Sequence, residues 1–185
     1  FYRGLGIDRA GLVADLTIDH TTVRTRAFSG ADRRAWLLAR AADVAIVAAF
    51  VQESGLDVLE GSIFGALERG AHVRIVTGDY LQITQAAALV RLLDWTGSWS
   101  GRAEDGLPRG RIEARVVEVD RLPTPAPRTF HPKSWRFEGE GVAVAFVGSS
   151  NVSRAALRTG IEWNLRVERA RDPEAYARVV TAFDG

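Results

Sequence analysis

The sequence predicts a mixed α/β domain with a largely parallel central sheet flanked by helices on both faces. Three observations carry this. Residues 44 to 50 and 72 to 77 are apolar runs of strand length, and they are continuous rather than alternating, as in strands buried on both faces. Each run is followed by apolar residues at helical spacing, over 53 to 69 and 84 to 95. The links between them are short, so strand and helix alternate as they do where helices cover a parallel sheet.

The elements follow in chain order. Residues 12 to 18 and 22 to 28 are rich in β-branched residues and flank Asp19-His20-Thr21, which predicts a hairpin. Ser29 is placed to cap a helix over 31 to 41, with Trp36, Leu37 and Leu38 on its apolar side. In the helix of 53 to 69, Leu56, Leu59, Ile63, Phe64 and Leu67 share one side and Gly70 closes it. Thr84 is placed to cap the helix of 84 to 95, and residues 97 to 110 form a long surface loop. A strand runs from 112 to 119. Pro123, Pro125 and Pro127 then impose an extended connection. Residues 129 to 137 and 142 to 147 form a hairpin around Glu138-Gly139-Glu140-Gly141. A short helix follows Asn151, a strand spans 161 to 167, and a last helix spans 173 to 183. No internal repeat is visible, so residues 1 to 185 are expected to form a single domain.

Composition narrows the chemistry. The apolar share is 46%, the charged share 25% and the formal net charge +1, so any affinity for phosphate must come from local placement of charge. The chain has no Cys, which excludes disulfides, thiolate metal sites and a thiol nucleophile, and is compatible with a reducing cytoplasm. His20, His72 and His131 are the whole supply of imidazole. No apolar run reaches the length of a membrane span and no secretory pattern opens the chain. There is no Met, which suggests a processed protein or a domain of a longer polypeptide.

The informative stretch is Phe130-His131-Pro132-Lys133, then Gly148-Ser149-Ser150-Asn151, then Gly160-Ile161-Glu162-Trp163-Asn164. Positions two apart in a strand share a face, so His131 and Lys133 are expected to project together. The strand of 142 to 147 returns beside them and delivers Ser149, Asn151 and backbone N–H groups through a turn. An imidazole, an ammonium, an amide and N–H donors on one spot suit a phosphate.

His-x-Lys followed by Gly-Ser-x-Asn resembles the signature of the phospholipase D superfamily, and Gly-Ile-Glu-Trp-Asn resembles the acidic element of its nuclease-like branches. A looser likeness over residues 44 to 168, including 73 to 80, is to the phospholipase D-like domains fused to bacterial DEAD/DEAH-type helicases. The resemblance implies a phosphodiesterase, in particular a nuclease acting on DNA. His131 would attack phosphorus and form a phosphohistidine. Lys133 and Asn151 would hold the non-bridging oxygens, with Ser149 supporting that phosphate cradle. Glu162 would orient the His131 imidazole. The motif occurs once, so the resemblance further implies a homodimer that brings two copies of His131 together. It implies no metal and no cofactor. One departure is Glu138, which stands where the family has an Asp; its position at a hairpin tip gives it no catalytic role.

Other features read as structural. His72 opens a buried strand, His20 lies in a turn, and Gly4-Leu5-Gly6 lacks the third glycine of a dinucleotide loop. Gly78-Asp79-Tyr80 fits a turn and a functional position equally well. Trp95 and Trp99 suit packing better than base stacking. The rival to an enzyme is a non-catalytic nucleic-acid-binding module of a larger helicase-type protein; hydrolysis of phospholipid headgroups ranks last, because no strongly basic amphipathic helix is present.

Overall fold

The computed structural model describes residues 13–19, 22–28, 30–79, 83–102, 108–121 and 129–184. The expectations for Gly4-Leu5-Gly6, His20, Ser29, Tyr80 and the three prolines of 123 to 127 lie outside these residues.

Among the described residues nine strands form one sheet: β1 (Val13–Asp19), β2 (Thr22–Phe28), β3 (Asp43–Ala48), β4 (His72–Gly78), β5 (Ser100–Arg102), β6 (Pro108–Val117), β7 (Ser134–Gly139), β8 (Val142–Gly148) and β9 (Trp163–Glu168). Their spatial order is β2-β1-β9-β8-β7-β3-β4-β6-β5. The sheet is mixed, as expected. Its parallel joins are β3–β4, β4–β6 and β1–β9, while β1–β2, β8–β9, β7–β8, β3–β7 and β5–β6 are antiparallel. The parallel share is therefore smaller than the sequence suggests, because the β7–β8 hairpin inserts beside β3 and reverses direction there.

The helices are α1 (Gly30–Leu38), α2 (Glu53–Glu68), α3 (Ala86–Ser98) and α4 (Pro173–Asp184). Gly70, at φ 91°, lets the chain leave α2 in a left-handed conformation, with the Ala71 N–H returning to the Ala66 carbonyl. Thr84 does not cap α3, whose N-cap is Gln85. Its hydroxyl instead donates to the Gly78 carbonyl at 2.6 Å, tying the end of β4 to the start of α3. The loop expected over 97 to 110 is shorter than that, because α3 runs to Ser98 and β5 pairs with an early start of β6.

The two faces of the sheet differ. Helices α1, α2 and α3 cover one face, and the core lies there: Ile46, Val73, Ile75, Trp135, Phe137 and Phe146 meet Leu38, Leu56, Leu59, Ile63, Leu67 and Leu92. Burying a side chain of this size contributes about 1.5–3 kcal/mol. Trp95 is buried with its ring 5.1 Å from that of Phe64, and the Trp99 ring lies 5.7 Å from Phe64, so both indoles serve packing.

On the other face α4 packs over β8 and β9 around Ala145, Val167 and Tyr176. Burial and the neighbouring Glu138 carboxylate push the Tyr176 hydroxyl well above its ordinary range. Beyond α4 this face carries charge. Asp43 accepts from Arg74 and from the buried Arg136, each at 2.8 Å, and Arg74 reaches Asp184 of α4 at 2.9 Å. His72 contacts Glu113 at 2.9 Å, a hydrogen bond that holds the Glu113 carboxyl below its ordinary range. His72 thus joins the polar network of this face by a hydrogen bond, a structural contact.

Candidate active site

The site residues gather where β7, β8 and β9 meet the start of α2. His131 and Lys133 precede β7 rather than lying within it, so their proximity does not come from strand alternation. Lys133 extends the ladder by one bond, its carbonyl accepting from the Gly148 N–H at 3.2 Å. Its side chain is buried and its ammonium donates to the His131 carbonyl at 2.8 Å. Burial pushes the Lys133 ammonium below the ordinary lysine range, and the Glu162 carboxylate pulls in the opposite direction. His131 itself is exposed. His131, Lys133 and Gly148 all line one cavity of about 530 Å³.

Ser149 and Glu162 form the second pair. The Ser149 hydroxyl donates to the Glu162 carboxylate and accepts from the Trp163 N–H at 3.1 Å, while the Ser149 N–H donates to the Trp163 carbonyl at 3.0 Å. The loop after β8 is thereby clipped to the start of β9. In this arrangement the Ser149 hydroxyl is one partner of Glu162, a contact that spacing in the sequence does not suggest, and the same carboxylate acts on the Lys133 ammonium.

Asn151 is buried, and its Oδ1 accepts from the Phe50 N–H at 3.3 Å. That bond fixes the amide by its oxygen, so its Nδ2 is not the group committed to Phe50. The following residues are held just as closely. Val152 bridges to Val51, and the Gln52 N–H donates to the Val152 carbonyl at 2.9 Å. Gly55, in the first turn of α2, lies so near that a Cβ there would stand 2.4 Å from the Val152 carbonyl group. The short helix expected after Asn151 is a π-helical turn, Ala155–Thr159, a form that recurs near functional sites.

Two further residues, to which the sequence reading gives no role, support the turn. Asn164 is buried and donates to the Ser150 hydroxyl at 2.9 Å, while the Trp135 indole donates to the Ser150 carbonyl at 3.2 Å. Together they fix the turn between Ser149 and Asn151. The alternation of Glu162 and Asn164 could have marked Asn164, since both stand at the start of β9. Gly78 has a packing role, for a Cβ there would stand 2.7 Å from the Phe130 ring beside His131. Asp79 accepts from the Val119 N–H at 3.4 Å, so the visible contacts of this turn are structural.

The site thus combines an exposed imidazole, a buried ammonium, an anchored amide and a carboxylate clipped to a hydroxyl, a set able to meet a phosphoryl group. No family model and no curated protein matches the chain. Among solved structures, NucT from Helicobacter pylori matches with a TM-score of 0.58 at 15% identity, covering 84% of this chain and 85% of that one. The likeness covers most of both chains, so this chain shares the fold of that structure, a mixed α/β fold of the kind the resemblance implies.

Proposed function

We propose that this chain is a metal-independent phosphodiesterase of phospholipase D type, acting on nucleic acid, with DNA the expected substrate. The observation that carries the reading is the cavity shared by His131 and the buried Lys133, with Ser149 and Glu162 joined alongside. An ammonium withdrawn from water is a stronger partner for phosphate oxygens than a solvated one.

In the proposed reaction an imidazole nitrogen of His131 attacks phosphorus. The bond to the leaving alcohol breaks, and His131 of the partner subunit gives that oxygen a proton. Water then attacks the phosphohistidine, losing a proton to the same partner imidazole, and a phosphate monoester departs as the His131–phosphorus bond breaks. Lys133 and Asn151 hold the non-bridging oxygens through both steps, and Glu162 orients the site through its hydrogen bonds.

A second copy is part of the proposal because the chain supplies one such histidine. Ile161, Trp163 and Leu165 expose apolar surface on and just before β9, next to Glu162, at 48%, 37% and 37% of their area. Such a strip suits self-association. The setting we propose from the resemblance is the cytoplasm, beside a helicase-type domain; no helix among the described residues is long and apolar enough to cross a membrane.

The test is hydrolysis of a chromogenic phosphodiester and of a labelled oligonucleotide in the presence of chelator. The His131→Ala protein is expected to lose turnover by at least about a thousandfold, and the wild type to sediment as a dimer. Undiminished turnover in His131→Ala would overturn the chemistry, and an active monomer would overturn the assembly.

A further inference from the structure

The cavity beside His131 extends well past the residues that handle phosphate. Its floor is a single register row across four adjacent strands: Val76 pairs with Val47, Val47 with Ser134, and Ser134 with Val147. At about 4.8 Å between strands, that row is roughly 14 Å wide. Val179, Ala182 and Phe183 of α4 form the roof, and Phe130 forms the wall next to His131. Phe183 is anchored, with the guanidinium of Arg74 over its ring at 4.8 Å. Two cations, Lys133 and Arg178, are among the lining residues.

Resting on the phosphodiesterase reading, we propose that this pocket receives an unpaired nucleobase next to the phosphate held at His131, so that the preferred substrate is a single strand. The chemistry of the walls favours a base over other groups. A largely apolar pocket with one phenyl ring in its roof and another in its wall suits a planar heterocycle, whose faces stack on aromatic rings whatever its identity. The Ser134 hydroxyl in the floor and the two lining cations give the pocket polar groups that a nucleotide can meet and an acyl chain would leave without a partner. The volume of about 530 Å³ lies within the usual range of small-molecule sites. The cations match the phosphates on either side of the base. A base held in a duplex cannot enter unless its pair is broken, and an unpaired one can.

The experiment compares binding of two labelled, nuclease-resistant phosphorothioate strands of equal length and charge, one oligothymidylate and one built of abasic sugars, by fluorescence anisotropy. The wild-type protein is expected to prefer the strand with bases by about tenfold, which is about 1.4 kcal/mol. Ala182→Trp fills the pocket from an exposed position of α4. It is expected to bring the preference close to one while affinity for the abasic strand stays unchanged. Phe130→Ala, which removes a wall from the other side, is expected to lower the preference several-fold. Equal binding of both strands by the wild type, or a tenfold preference persisting in folded Ala182→Trp, would overturn the proposal. So would sedimentation with phosphatidylglycerol vesicles that Ala182→Trp abolishes, since that result puts an acyl chain in the pocket. Because binding rather than turnover is read, a failure of the His131 chemistry would leave a base preference in place, and the two readings fail separately.

Discussion

The two faces of the sheet are built from the same strands and held by different physics. Under α1, α2 and α3 the contacts are apolar and close-packed, with Trp135, Phe137 and Phe146 fully covered. Under α4 the buried apolar cluster is Ala145, Val167 and Tyr176, and the remaining ties are ion pairs through Asp43, Arg74, Arg136 and Asp184. The difference separates two tasks. The apolar face sets the positions of the strands, and burial of that kind is insensitive to salt and pH. The charged face leaves room beside α4 for a cavity that reaches His131.

Substitutions can break or sharpen this contrast. The largest effect is expected in the apolar core: Phe137→Ala, with its ring 6.4 Å from that of Phe146, should cost about 3–5 kcal/mol in denaturant unfolding at any salt concentration. Asp43→Asn should cost about 1–2 kcal/mol, since it removes the shared acceptor of Arg74 and Arg136. That cost should shrink as salt screens the more exposed of these ion pairs. Equal salt dependence in the two variants would erase the distinction between the faces.

The smallest stability effect is expected for Lys133→Met, which should leave the melting temperature unchanged or slightly raised while turnover is lost, because a buried charge disappears. The sign with pH follows. The folded-state pKa of Lys133 lies below its ordinary value of 10.5, so on raising the pH the native state releases this proton before the unfolded chain does. Through that interval the unfolded chain binds more protons, and the wild type should gain stability relative to Lys133→Met as pH rises. A relative loss of stability in the same interval would contradict the burial of the ammonium.

Local pattern made much of this legible. The apolar runs and helical spacing of β3, α2, β4 and α3 carry their own signal, and α2 begins at Glu53 as its periodicity indicates. Strand order carries no such signal. That β7 pairs with β3, and β1 with β9, depends on contacts over a hundred residues apart in sequence or nearly so, and hydrophobic pattern is silent on them. For the proposed site, His131, Lys133, Ser149, Asn151 and Glu162 stand out as candidates because their residue types and order form a pattern. Their contacts do not. The Ser149 bond to Glu162 and the Asn151 bond to Phe50 arise only when separate strands are brought side by side. The side-by-side projection of His131 and Lys133 expected from a strand gave way to a pre-strand segment, where a hydrogen bond to the His131 carbonyl draws the Lys133 ammonium back.

The close crossing of Gly55 and Val152 has a consequence for how the two halves of the site can respond to a substrate. The turn bearing Asn151 is fastened to residues 50 to 52, between β3 and α2, by the Asn151 amide oxygen and the Val152 carbonyl, and Gly55 leaves no space there for an added methyl group. It behaves as a fixed jaw. Of the two halves, the Asn151 side therefore meets a ligand as an anvil already set by folding, and binding need not order that turn.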